Sequence, residues 1–394
     1  MILVSGFLAF TVSASLMHAY TVFLLAFIEE FHWGRAESSV AYSVGQLVGG
    51  ACSPLVGGLA DRVGSRRMVL LGGCLLTLGL LGSAFATTLW HIVLLYGVVM
   101  TFGATCIGLV VLVPLVSRLF TAQRGMAISI LQSANGFGRA VSAPVAQILV
   151  DGLGWRSAYL LQAGTMALLV LPLAAMFPRA GATPSAPDAP ATAAATAARQ
   201  WTLAEAARTR HFWLLLLVYM FTSIGSFLVS LHQLAFAVGQ GFEPLYAATV
   251  LGMGSFLALP GVILTGTISD YIGRERAALL AYGISIVGVA CALLIDGPDQ
   301  HLLLWLHACF FGLTWGARGP AITAKTADLF PGPRLGTILG VITIGSGLGA
   351  AIGSWAAGLL FDLTGSYRLA FILSIAAYVG GSIAFWALRR PMGR

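Results

Sequence analysis

Two arginines lie deep inside long apolar runs. Arg139 is 13 residues past Met126, and Arg318 is 16 residues past Leu302. On a helix rising 1.5 Å per residue, these are depths of about 20 Å and about 24 Å, in a hydrocarbon core about 30 Å thick. The two depths are counted from opposite faces, so the arginines fall on opposite sides of the midplane and need not touch one small ligand. An uncompensated arginine at mid-depth costs about 2.5–3.5 kcal/mol even on a lenient insertion scale. All fourteen acids lie in loops or at the ends of the apolar runs, so no buried carboxylate is on hand. A water-filled cavity or a bound anion is then the expected compensation. The bland alternative is that each guanidinium bonds helix carbonyls or snorkels to an interface.

Spacing adds to this. Gln132, Asn135, Arg139 and Ser142 recur at i, i+3, i+7 and i+10, one polar stripe on an otherwise apolar helix. Trp315, Arg318 and Lys325 share a face at i, i+3 and i+10 in the run that reads as span ten. Such a pair suits an anion with an apolar body, the guanidinium taking a carboxylate through two parallel N–H bonds and the indole covering the carbon skeleton. Thr11, Ser15 and His18 make a third stripe. His18 near mid-run and the shallower His232 are candidates for carrying a proton, since imidazole titrates near neutrality. A neutral structural histidine is the competing reading for both, and the favoured one for His232. The missing deep carboxylate disfavours export of cationic drugs, which needs such a group to hold cation and proton.

The composition fixes what must position these residues. The chain has 394 residues, of which 58% are hydrophobic and 9% charged, against about 25% charged in a soluble domain. Apolar runs at about 2–28, 38–60, 68–88, 90–117, 126–149, 156–177, 212–238, 245–268, 277–295, 302–324, 336–361 and 368–388 read as twelve membrane spans. The fold expected is an all-α polytopic bundle, which excludes a soluble enzyme, and continuous runs exclude a β-barrel. The net charge of +7 does not point to nucleic acid, because the basic residues gather in loops on one side. By the positive-inside rule those loops and both termini are cytoplasmic, in a plasma membrane of bacterial inner-membrane type. Cys52, Cys74, Cys106, Cys291 and Cys309 lie in apolar runs without metal or redox spacing, so they read as packing residues. No metal or cofactor signature is present, and no cleavable leader is visible at the N-terminus.

The halves repeat. The stretch from Gly57 through Asp61 and Gly64 to Arg67 returns from Gly266 through Asp270 and Gly273 to Arg276. Asn135-Gly136-Phe-Gly138-Arg139 returns as Ser346-Gly347-Leu-Gly349-Ala350, and Asp151 with Trp155-Arg156 matches Asp362 with Tyr367-Arg368. Residues 1–177 and 212–394 therefore read as two six-helix bundles, related by a pseudo-two-fold axis with a site expected at their interface. Residues 178–211 join them, beginning as an Ala/Pro/Thr-rich flexible linker. Thr202-Leu-Ala-Glu205 has capping-box spacing, predicting a helix that runs into span seven.

With these residues the chain resembles the major facilitator superfamily. The loop between spans two and three is similar to the family's signature at Gly58, Asp61, Arg62, Gly64, Arg66 and Arg67. The resemblance implies that this loop, with Asp270 and Gly273 in the repeat, acts as a conformational gate on the cytoplasmic face. His18-Ala-Tyr20-Thr-Val-Phe23, Gln46 with Ser53-Pro54, Phe311-Gly-Leu-Thr-Trp315-Gly316, and the lead-in from Thr202 to Trp213 look like the oxalate/formate and monocarboxylate branch. Together with the buried arginines and polar stripes above, the candidate substrate-binding residues are Arg318, Trp315, Gln46, His18, Arg139, Tyr20, Asn135 and Gln132. The branch's cationic positions in spans eight and eleven fall here on about Val262 and Ile342, both apolar, so no named substrate carries over.

Two glycine motifs carry no chemistry. Gly345-Ser-Gly347-Leu-Gly349 lies inside an apolar helix with no preceding strand, and Gly252-Met-Gly254-Ser255 likewise reads as a packing surface. The expectation is a secondary transporter of a small organic anion, a monocarboxylate, coupled to a proton or a counter-anion. The alternatives are a multidrug or neutral-metabolite exporter with structural arginines, and, more remotely, a membrane sensor that does not translocate. An intramembrane enzyme has no nucleophile–base pair to work with.

Overall fold

A computed structural model describes residues 2–119, 124–177, 201–331 and 334–389, apart from a few side chains within those ranges. The linker 178–200 lies outside the described residues, as do the side chains of Asp61 and Asp270. Among the described residues every regular element is helical, and nine stretches are long and apolar enough to cross a membrane. Three further spans complete the twelve. Arg35–Val63 is long enough but studded with polar residues. The stretch Arg124–Ala175 holds two spans, separated where Gly154 turns at φ 75°. The tenth span is split in two, as His301–Leu313 and Arg318–Leu329.

The chain forms two compact units, one of residues 1–187 with 237–253 and the other of 188–236 with 254–394. Within the first, Gly138 of span five packs on span one: a Cβ there would lie 2.5 Å from the Thr11 carbonyl oxygen. Within the second, Gly345, Gly349 and Gly353 line one edge of Leu335–Thr364 at i, i+4 and i+8. Cβ atoms there would lie 2.4–2.8 Å from the carbonyl oxygens of Leu216, Met220 and Ile224 on span seven. Gly345 and Gly349 of the rejected nucleotide motif are thus where two helix backbones meet.

The repeat extends to backbone angles. Gly64, between Arg35–Val63 and Ser65–Ala84, has φ 86° and ψ 152°; Gly273, between Ala258–Ile272 and Arg274–Leu293, has φ 88° and ψ 151°. Both following helices are 20 residues long. The closing turns of the two halves also correspond. Trp155 Nε1 and Arg156 both donate to Glu30 at the end of span one, and Tyr367 meets His232 in span seven.

Several spans are broken, which the apolar runs do not announce. Span one divides at Ala19, between Ile2–His18 and Tyr20–Phe31. Span four carries a π-helical stretch at Val93–Met100 and breaks at Gly108. Span seven divides between Arg210–Ser230 and Gln233–Gly239, and span eight at Leu257. The capping box at Thr202 forms, with Glu205 N donating to Thr202 Oγ1 at 3.2 Å and Thr202 N to Glu205 Oε2 at 2.8 Å. Its helix does not run into span seven, however. Leu203–Ala207 ends after five residues, and Thr209 caps a new helix by accepting from Phe212 N.

Candidate functional site

The second unit places Arg318 at the first turn of the outgoing half of span ten. The break arises at Thr314–Ala317, where Gly316 takes φ 76° and single turns replace the helix ladder. Pro320 follows at a first-turn position, where its missing N–H has no helical partner to lose. The expectation of one continuous helix over 302–324 is therefore corrected, and with it the shared face of Trp315, Arg318 and Lys325. Trp315 packs on Phe227 and Phe311. Lys325 pairs with Glu275 at 2.8 Å.

Arg318 is 2% exposed. Its Nη1 donates to Ser285 Oγ at 2.6 Å and to the Ala281 carbonyl at 3.3 Å, and Nη2 reaches Ser226 Oγ at 3.4 Å. The rings over its guanidinium are Tyr282 at 5.0 Å and Tyr378 at 4.9 Å. Nε is buried with no hydrogen-bond partner. Among the described residues no carboxylate forms an ion pair with it. The hydroxyls are themselves tied in: Ser285 to Thr314 at 2.7 Å, Ser226 to Tyr378 at 3.1 Å, and Tyr282 to Thr222 at 2.6 Å. The charge thus sits among neutral oxygens and aromatic faces, an arrangement able to receive an anion.

The first unit holds a cavity of about 380 Å³ whose lining includes His18, Gln46, Asn135, Tyr42, Tyr96 and Thr101. His18 Nε2 lies 3.2 Å from Asn135 Oδ1, so the protonated Nε2 donates. Arg139 is within electrostatic reach of His18 and Tyr42. The π-helical turn shapes one wall, where Tyr96 donates to the Met17 carbonyl at 2.8 Å and Thr101 Oγ1 to the Tyr96 carbonyl at 3.0 Å. A widened turn of this kind is common beside functional sites. Four of the sequence-selected residues thus gather in this unit: His18, Gln46 and Asn135 on the cavity wall, and Arg139 close to them.

Others stand apart. Tyr20 is buried in a ring cluster 4.2 Å from Tyr96 and donates to the Ser38 carbonyl at 2.7 Å. Gln132 is exposed and does not line the cavity. His232 is fully buried, with Nε2 3.0 Å from the Ser354 carbonyl and Nδ1 3.1 Å from the Tyr367 hydroxyl. A carbonyl can only accept, so Nε2 carries a proton, while the phenol can donate to Nδ1 or accept from it. Both ring nitrogens are thus engaged by partners within the unit.

Ser226, Tyr282, Ser285 and Tyr378 were not selected from sequence. Tyr282 and Ser285 are polar at i, i+3 in an apolar run, a signal of the same kind that marked span five.

A family model for the Major Facilitator Superfamily matches residues 2–323. The chain is 27% identical over 388 residues to "Monocarboxylate transporter 13" of Rattus norvegicus, covering 97% of this chain and 87% of that one. It is 24% identical over 382 residues to "Uncharacterized MFS-type transporter YcxA" of Bacillus subtilis, covering 93% and 89%. Its fold is similar to that of the nucleoside transporter NupG, with a TM-score of 0.79 at 12% identity over 99% of this chain and all of that one.

Proposed function

We propose that this chain, which belongs to the Major Facilitator Superfamily, carries a small organic monocarboxylate across a membrane by alternating access. That it is a multi-pass membrane transporter and not an enzyme follows from its family. The carboxylate is our reading, and it is carried by one observation: a guanidinium 2% exposed, surrounded by hydroxyls, a carbonyl and two rings, with no carboxylate paired to it among the described residues. A carboxylate on Arg318 would replace the long contacts at 3.3 and 3.4 Å with charge-assisted bonds. The phenol rings suit a short apolar body. The relatives named as monocarboxylate transporters support the same class.

Arg139, Gln46 and Asn135 in the first unit are assigned to substrate handling, and His18 to the proton. An anion drawn toward Arg139 would offset the repulsion between that charge and a protonated His18. Anion and proton would then bind cooperatively, which is the thermodynamic condition for symport. Exchange against a second anion needs no titration of His18. Gating is assigned to the two loops turning at Gly64 and Gly273, with Arg62, Arg66 and Arg67 beside the first. Both termini are placed in the cytoplasm.

A second reading, transport of a neutral polar metabolite, draws on the cavity wall, which apart from His18 has no titratable side chain but tyrosine. One experiment separates the two. The purified protein is unfolded thermally with a panel of short monocarboxylates, their amides and lipophilic cations, and the stabilising compound is taken into liposome uptake. Stabilisation by a carboxylate and not its amide, lost in Arg318→Ala, supports the proposal; at a hundred times its dissociation constant a ligand adds about 2.7 kcal/mol. Stabilisation by amides or cations, unchanged in that variant, overturns it. Proton-driven uptake lost in His18→Gln while exchange persists would assign the proton to His18.

A further inference from the structure

On the second unit, spans nine, ten and twelve with the end of span eight at Ile272 leave a groove of about 650 Å³, lined by neither Arg318 nor the residues of the first unit's cavity. Its wall on span nine is a single helical stripe of Arg276, Leu280, Gly283, Ile284 and Val287, faced by Phe310 and Trp386. From Arg276 to Val287 is 11 residues, about 16 Å along the helix, or half of a hydrocarbon core about 30 Å thick. The groove is therefore one leaflet deep. It is apolar throughout except at one end, where Arg276 is exposed. Arg389 lies at the same end, its guanidinium 3.6 Å from the centroid of the Trp386 ring.

The charges at that end are not balanced locally. Lys325 takes Glu275 at 2.8 Å, and Arg274 takes Asp328 at 3.2 Å. Arg389 is within electrostatic reach of Glu275, but among the described residues neither Arg276 nor Arg389 forms an ion pair. Two arginines, one braced on an indole, above an apolar channel one leaflet long, match a molecule with an anionic head and a hydrocarbon tail.

We propose that this groove is a binding site for an anionic phospholipid, its acyl chain along Leu280, Gly283 and Val287 and its phosphate between Arg276 and Arg389. A zwitterionic choline lipid brings a second cation toward the arginines and is discriminated against. A free phosphate would make no use of the channel. The site lies in the leaflet on the side of the basic loops, where anionic headgroups are recognised by basic pockets between helices.

The test is lipid retention by the full chain in neutral detergent, counted by native mass spectrometry during titration with phosphatidylglycerol or phosphatidylcholine. Parent protein is expected to retain one phosphatidylglycerol in preference to phosphatidylcholine. Arg276→Gln with Arg389→Gln removes two headgroup contacts and should weaken retention roughly 20–30-fold. Gly283→Leu fills the channel from a position where an added Cβ meets nothing within 4 Å, so it should fold normally and also lose the lipid. Equal retention of the two lipids by the parent, or undiminished phosphatidylglycerol retention in either variant, overturns the proposal.

Discussion

At the scale of single residues, Arg318 is an expense that the fold alone does not explain. Taking an ion out of water costs several kcal/mol, and among the described residues no carboxylate pairs with Arg318 to offset it. The surrounding hydroxyls would not be orphaned, because Ser285 keeps Thr314 and Ser226 keeps Tyr378. Arg318→Met is therefore expected to unfold, without ligand, at or above the parent's midpoint while losing carboxylate-dependent stabilisation; Arg318→Lys keeps the charge, loses the two-pronged geometry and should bind at least tenfold more weakly. A fall in the ligand-free midpoint of Arg318→Met would make the arginine structural. His232 should behave in the opposite way. His232→Gln or Tyr367→Phe breaks a closed hydrogen-bond set and should lower the midpoint, at about 1–3 kcal/mol per buried group left unsatisfied, without moving the pH dependence of uptake; a shifted pH profile would return His232 to the coupling path. Arg318, Arg139 and His18 stood out in the sequence because each is a polar side chain inside a long apolar run, although the helix along which the depth of Arg318 is counted breaks before it. The partners Ser226, Ser285, Tyr282 and Tyr378 did not, because they come from spans seven, nine and twelve, and which faces meet is not written in any one of them.

At the scale of elements, the spans were legible and their breaks were not. Twenty consecutive apolar residues announce a crossing whatever lies around them. A break is a local exception that neighbouring helices must make tolerable by satisfying freed backbone groups. Span ten did carry the signs, with Gly316 and Pro320 bracketing Arg318, but hydropathy ran through both. The glycine edge of span eleven makes the converse point: a motif suggestive of phosphate binding is explained by its neighbour's carbonyls. Gly349→Ala puts a methyl 2.4 Å from the Met220 carbonyl oxygen, whereas at Gly340 an added Cβ meets nothing within 4 Å. Gly349→Ala is expected to destabilise by about 1–3 kcal/mol and Gly340→Ala to leave the midpoint unchanged or slightly raised, as read by thermal unfolding of the two purified variants. Equal midpoints would mean that spans seven and eleven do not approach as closely as described.

At the scale of the molecule, the repeat is the best-supported inference from sequence, because matched motifs return as matched angles at Gly64 and Gly273. It also limits how function divides. The polar stripe of span five has Arg139 where span eleven has Ala350, and both span four and span ten are broken, at Gly108 and at Thr314–Ala317, but only span ten carries an arginine directly after its break. The scaffold is duplicated and its charges are not, which suits a carrier whose halves handle different parts of one task. The proposed orientation rests on another asymmetry, the gathering of arginines in loops on one side. A cysteine introduced by Ala191→Cys, in a background without the native thiols, is expected to react with a membrane-impermeant maleimide only when the cytoplasmic face is exposed, and Asp299→Cys only from the opposite face. The reverse pattern would invert the protein, putting Arg276 and Arg389 in the outer leaflet. The lipid proposal would survive that inversion, since it depends on the groove and its charges. The assignment of the gate to the cytoplasmic face would not.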